Sequence, residues 1–137
     1  MPEIDWTMLR ERAHQACTNA YAPYSDYPVG AAALTEPGNV IVGCNVENAS
    51  YGLTLCAECA IVSTLVTQGG GRLVAITCSD SQRKVITPCG RCRQLLWEHG
   101  GPNLLVDTPG GPTSMRYLLP HAFGHSDLDR VRGGSTP

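Results

Sequence analysis

No run of 18 or more uninterrupted apolar residues occurs in this 137-residue sequence, which argues against a membrane-spanning segment. The basic start of a secretory signal is missing too: Met1-Pro2-Glu3-Ile4-Asp5 is acidic. The expected compartment is therefore the cytoplasm, where thiols stay reduced. Positive charge is not in excess, with ten Lys and Arg against twelve Asp and Glu and a net charge of −2. No basic face is available to track phosphates, so no nucleic-acid polymer is expected as a partner. Seven cysteines are an odd number in a chain longer than most disulfide-framework modules, which favours reduced thiols or metal ligands over bridges. Without secretion, the sequon Asn48-Ala49-Ser50 carries no weight. Aromatics make up only 6% and include a single Phe, and no internal repeat is visible. What is present, 42% hydrophobic and 16% charged residues over the length of one domain, suits an ordinary folded core. One domain is expected over residues 1–125, with 126–137 a loose polar tail.

The periodicity predicts a first helix from a cap at Asp5 to about Ala20, with Met8, Leu9, Ala13, Ala16, Cys17 and Ala20 as its apolar stripe. The following Tyr21-Ala22-Pro23-Tyr24-Ser25-Asp26-Tyr27-Pro28 concentrates three tyrosines in a chain poor in aromatics, as either a site wall or packing. Val29–Leu34 and Val40–Cys44 read as strands joined by the hairpin turn Glu36-Pro37-Gly38-Asn39. Both runs are apolar enough to be covered on both faces. Cys56 to about Val66 reads as a buried helix stopped by Gly69-Gly70-Gly71. Leu73–Cys78 is a third strand, and Ser79–Lys84 a polar loop. Pro88 opens a helix to about His99. Leu104–Val106 is a fourth strand, Thr113–Met115 a possible fifth strand or turn, and Tyr117–Phe123 holds a short apolar segment. This order indicates a layered α/β domain.

Two stretches carry the chemistry: Leu55-Cys56-Ala57-Glu58-Cys59-Ala60 and Thr87-Pro88-Cys89-Gly90-Arg91-Cys92. Soft thiolates in two Cys-x-x-Cys pairs suit tetrahedral zinc. Pro88 places Cys89 and Cys92 in the first turn of one helix, where residues three apart share a face. Cys56 starts another helix, so two helix N-termini point at the same thiolates and stabilise them. Glu58 decides between two readings. Beside an ion with an open position, a carboxylate can move protons to and from water. Alternatively, all four cysteines close around a structural zinc and Glu58 is ordinary surface charge. The 29 residues between the pairs (60–88) exceed the usual 15–20 of such a module. The segment between them also looks like core rather than ribbon.

A ligand-x-Glu element followed by Pro-Cys-x-x-Cys is the signature of zinc deaminases. Cys56-Ala57-Glu58 and Pro88-Cys89-Gly90-Arg91-Cys92 match it. Together with Ala22-Pro23-Tyr24-Ser25, Val29-Gly30-Ala31-Ala32, the run Gly43 to Tyr51, and Arg93-Gln94, they resemble the small three-cysteine cytidine deaminases from about Ala20 to Phe123. The resemblance implies a three-layer α/β/α domain with a mixed sheet of about five strands and helices on both faces. It implies hydrolytic deamination of cytidine, and of 2′-deoxycytidine, in pyrimidine salvage. Cys56, Cys89 and Cys92 would hold one zinc per chain and leave a position for water, whose pKa the ion lowers. Glu58 would relay protons to the ring nitrogen N3 and to the departing ammonia. Asn45 and Glu47 would bind the ribose hydroxyls; the alternative is that Asn45 and Asn48 are turn formers. Backbone groups of Ala57 would meet the pyrimidine edge, Tyr27 would stack on the base, and Phe123 would enter a neighbouring subunit's site in a homotetramer. Where the family often has Arg after the glutamate this chain has Cys59, leaving helix N-termini and Arg91 or Arg93 to offset the thiolate charge. The rival readings are the structural four-cysteine interaction module and a deaminase of another aminopyrimidine nucleoside such as blasticidin S. Cys17, Cys44 and Cys78 read as small buried hydrophobes.

Overall fold

A computed structural model of the chain describes residues 2–133. Helices α1 (Trp6–Cys17), α2 (Ala57–Thr67), α3 (Gly90–Gly100), α4 (Met115–Leu118) and α5 (His125–Val131) surround strands β1 (Val29–Thr35), β2 (Val40–Cys44), β3 (Leu73–Asp80), β4 (Val85–Ile86), β5 (Leu105–Val106) and β6 (Thr113–Ser114). The strands form one mixed sheet in the order β2-β1-β3-β5-β6, with β4 paired to β3. Only the β3–β5 pair is parallel; the other pairs are antiparallel. That parallel pair requires a crossover, and α3 lies on it.

Alternation along β1 distributes the core over two faces. Ala31 and Ala33 pack with Ile61, Leu65 and Leu96 of α2 and α3, whereas Ala32 and Leu34 pack with Leu9 and Ala13 of α1. Small residues permit a close approach on each side. A Cβ at Gly30 would lie 2.0 Å from the Ala13 carbonyl, and one at Gly43 would lie 2.6 Å from the Ala57 carbonyl. The second contact brings the N-terminus of α2, with Cys56 before it, down onto the sheet. Asp5 caps α1 as its position predicts, accepting the Met8 N–H at 3.0 Å.

The sheet has six strands rather than about five. Residues 79–84, expected as loop, include the end of β3 and the turn into β4, whose two residues are too few to show any periodicity. Edge strand β2 is less covered than expected, with Val42 37% exposed. α1 stops at Cys17, three residues short of Ala20. α2 and α3 begin one and two residues later than predicted, with Cys56 and Cys89 as their N-caps. From Ser126 the expected polar tail lies within α5 up to Val131, and residues 134–137 lie outside the described part.

Candidate active site

Both N-caps open onto one cavity of about 240 Å³, bordered by Tyr27, Asn45, Thr54, Cys56, Glu58 and Cys89 among others. Cys56, Cys89 and Cys92 bring their sulfur atoms within 4.8 Å of one another, and they are the one such cluster of metal-ligating side chains among the described residues. Four-coordinate zinc at about 2.3 Å from each sulfur needs sulfurs about 3.8 Å apart. The donor set and its spacing therefore fit that ion, with small adjustments of the side chains. Neither N-cap cysteine uses its side chain to cap its own helix, so the first-turn N–H groups of α2 and α3 remain available to favour negative charge at the sulfurs.

Burial and neighbouring charge set the acidities. Burial raises the Glu58 carboxyl above the ordinary glutamate range, against its own backbone N–H and the thiols of Cys92 and Cys78. Burial likewise raises Cys92, aided by the Glu58 charge, and raises Cys56. At Cys89 burial is outweighed by the Cys92 N–H and by the Cys92 and Cys56 thiols, and its acidity increases. A cation among the sulfurs favours thiolate at all three.

Glu58 is only 4% exposed yet borders the cavity. A carboxylate that buried is not surface charge, which removes the premise of the structural four-cysteine reading. Cys59 removes its fourth ligand. It lies outside the cluster and lines a second groove with Cys44, Val46, Leu55, Ser63 and Cys56 itself. An Arg91 Nη stands 3.9 Å from its sulfur.

The other predicted residues divide. Tyr27, Asn45 and Ala57 border the cavity. Tyr27 is 50% exposed at its rim. Asn45 pins that rim: its Oδ1 accepts the Val29 N–H at 2.9 Å and its Nδ2 donates to the Tyr27 carbonyl at 3.0 Å, leaving one amide hydrogen. Glu47 lines an adjoining hollow of about 230 Å³ with Tyr24, Ser25, Tyr51 and Thr54. Its carboxylate accepts the Tyr24 N–H at 2.9 Å, the Ser25 N–H at 3.1 Å and the Ser25 hydroxyl. These hydrogen bonds, led by the Ser25 hydroxyl, lower the Glu47 carboxyl below its ordinary value despite partial desolvation. Of the tyrosine-rich loop, Tyr27 borders the first hollow and Tyr24 the second, while Tyr21 borders neither, and Tyr24 meets Tyr51 edge-on at 5.9 Å. Phe123 is 59% exposed and borders neither hollow in its own chain. Thr54, common to both hollows, and Cys78, Ile86 and Val29 are lining residues that the sequence reading missed. Thr54 stands two residues before Cys56, a proximity that could have flagged it. Cys78 is buried in the core as expected and also borders the cavity.

Comparison with known proteins identifies the family. A family model described as the cytidine and deoxycytidylate deaminase zinc-binding region matches residues 5–107. A cytidine deaminase of Mycobacterium tuberculosis is 59% identical over 132 residues, covering 96% of this chain and 99% of that protein. A crystal structure of cytidine deaminase from Mycobacterium tuberculosis is similar with a TM-score of 0.86 and 59% identity, over 89% of this chain and 99% of that one. One from Mycobacterium leprae has a TM-score of 0.85 and 54% identity, over 87% of this chain and 100% of that one.

Proposed function

Because the chain belongs to the family of cytidine and deoxycytidylate deaminases, we propose that it hydrolyses cytidine, and 2′-deoxycytidine, to uridine or deoxyuridine and ammonia in pyrimidine salvage. The observation that carries this reading is a buried carboxyl, Glu58, sharing one cavity with converging thiols. Cys56, Cys89 and Cys92 would hold one zinc per chain, and that ion would supply the Lewis acidity that makes a water nucleophilic near neutral pH.

Glu58 would take a proton from the attacking water and pass it to ring nitrogen N3 as C4 accepts the oxygen. It then moves the proton of the new hydroxyl to the amino group, and ammonia leaves as the C4 carbonyl forms. Its raised pKa suits this work, since a carboxyl that must both accept and give protons performs best near working pH. The Ala57 backbone meets the pyrimidine edge and Tyr27 stacks on the base. The remaining Asn45 amide hydrogen and Glu47 bind the ribose hydroxyls, for which Glu47 is pre-oriented by Ser25 and the Tyr24 and Ser25 N–H groups. Helix N-termini and Arg91 offset the thiolate charge; Arg93 is already committed to two backbone carbonyls.

The exposed apolar side chains Tyr51, Leu53, Leu55 and Phe123 support a homotetramer in which Phe123 completes a neighbour's site. Residues 1–125 act as the deaminase domain, with 126–137 a polar extension. The substrate is a small nucleoside. No helix among the described residues is long and apolar enough to cross a membrane, and the expected setting is the cytoplasm. The test is the loss of cytidine's ultraviolet absorbance on adding purified protein, abolished by a strong chelator and restored by zinc. Unchanged absorbance with zinc-loaded protein would reject the proposal.

A further inference from the structure

α3 faces the thiol cluster with its first turn and the segment from Leu118 to His125 with its flank. Arg93 follows Cys92 and is partly buried. Its Nε donates to the Pro88 carbonyl at 2.9 Å and its Nη1 to the Leu118 carbonyl at 3.0 Å. Next along, the Gln94 amide donates to the Phe123 carbonyl at 2.8 Å. One turn further, Glu98 meets His125 at 2.5 Å. The Pro88 carbonyl belongs to the peptide that leads into Cys89. A peptide unit is planar, so holding its oxygen on one side fixes where the N–H and Cα of Cys89 point on the other. One guanidinium thus grips the backbone that mounts a sulfur donor and the end of α4, whose continuation carries Phe123. Its rigid fork serves two carbonyls at once, whereas an ammonium offers a single point charge.

We propose that Arg93 is a positioning residue that couples order at the metal-holding turn to the placement of the Leu118–Phe123 segment, while Gln94 holds only the far end of that segment. The inference rests on the reading that Cys56, Cys89 and Cys92 hold zinc, and it adds a connection between that ion and the residue offered to a neighbouring site. By linkage the effect runs both ways: zinc steadies the segment at its Leu118 end, and holding that end through Arg93 helps retain zinc, independently of the Gln94 contact at Phe123.

The test compares zinc-loaded parent, Arg93→Ala, Arg93→Lys and Gln94→Ala by two readouts that do not need turnover. These are zinc transfer to a colorimetric chelator and amide hydrogen exchange over 118–123, with β3 amides as internal reference. Removing a residue that orients a metal ligand typically costs 10–100-fold, so Arg93→Ala should transfer zinc about 10–100-fold faster and Arg93→Lys about tenfold faster. Gln94→Ala should speed exchange near Phe123 while leaving zinc transfer at the parent rate. Stripping zinc from the parent should speed exchange over 118–123, and stripping Arg93→Ala should add nothing further there. Parent-like zinc transfer in Arg93→Ala, or segment exchange in the parent that ignores zinc, overturns the coupling. Should Arg93→Ala not fold, Arg93→Lys decides alone, and a parent-like rate in it overturns the coupling. A parent that retains no zinc overturns the metal reading and this inference with it, whereas equal retention in every variant overturns only the inference.

Discussion

Cys56 and Glu58 border the same cavity, although two positions along a helix turn side chains about 200° apart. They do so because Cys56 is not helical. It is the N-cap of α2, with extended backbone at φ −70° and ψ 159°, and the helix begins at Ala57. The sulfur therefore approaches from outside the helix end while Glu58 reaches the same space from within the first turn. A sulfur donor and a proton carrier can thus be two residues apart in sequence and adjacent in chemistry.

Glu58→Gln keeps the side chain's shape but replaces a carboxyl that can take and give a proton with an amide that cannot do so at working pH. Turnover should fall by at least about 10²–10⁴-fold, the usual worth of general acid–base catalysis, with zinc still at one per chain. Absorbance assays paired with metal analysis check both halves; undiminished turnover would remove Glu58 from the proposed role.

Cys59→Ser should keep the metal and the activity, because the Cys59 sulfur is not among the clustered donors, although Cys59 shares a groove with Cys56. Cys92→Ser should lose both. Zinc shed by Cys59→Ser, measured by metal analysis after desalting, would instead favour a four-cysteine structural site.

Phe123→Ala should raise KM for cytidine by roughly 5- to 150-fold, the range expected from losing about 1–3 kcal/mol of stacking on a base. Sedimentation run alongside the kinetics gives a sharper check. A fully active isolated monomer would show that no neighbour's Phe123 is needed.

Glu47 ties the 24–27 loop through hydrogen bonds that require its charged form. Its folded pKa lies below the ordinary value, so its contribution to stability is complete above the unfolded pKa of about 4.3 and fades as pH falls through the folded one. The difference in melting temperature between parent and Glu47→Gln should be constant from neutral pH down to about 5 and shrink below about 4. A gap independent of pH would mean the charge does nothing for the loop.

Asp107 has no solvent exposure and accepts hydrogen bonds from Thr77 at 2.8 Å and from the Arg10 guanidinium at 2.8 and 3.2 Å. Arg10→Ala leaves that carboxylate buried without its cation. Because the Arg10 side chain is itself 43% exposed, the cost should be about 2–3 kcal/mol, less than the ~3–5 of a fully buried pair. Replacing both by leucine should be closer to neutral. Urea unfolding of the zinc-loaded proteins measures the difference; equal losses in single and double variants would contradict it.

What could be read in advance was whatever depends on neighbours in sequence. The cap at Asp5, the hairpin turn after Thr35, and the placing of Cys56, Cys89 and Cys92 at helix starts are local consequences of proline, glycine and apolar spacing. The thiol and carboxyl chemistry of Cys-x-Glu and Pro-Cys-x-x-Cys is likewise local. Strand β4 and helix α5 escaped because two residues carry no period and a short polar helix shows no apolar stripe.

Amino-acid order alone established the α/β class, the donor atoms for a metal and the acid beside them, since these follow from residue type and short-range spacing. Only the folded chain decided which cysteine stays out of the cluster, that Glu58 is buried, that Ser25 holds Glu47, and that Arg10 neutralises a carboxylate 97 residues away. The Cys59, Glu58 and Arg10 placements depend on how α1 and α2 pack against the sheet, and the Ser25–Glu47 contact on the loops that flank the β1–β2 hairpin. Contacts between distant segments are set by packing and burial acting on the whole chain at once, and no window of neighbouring residues contains them.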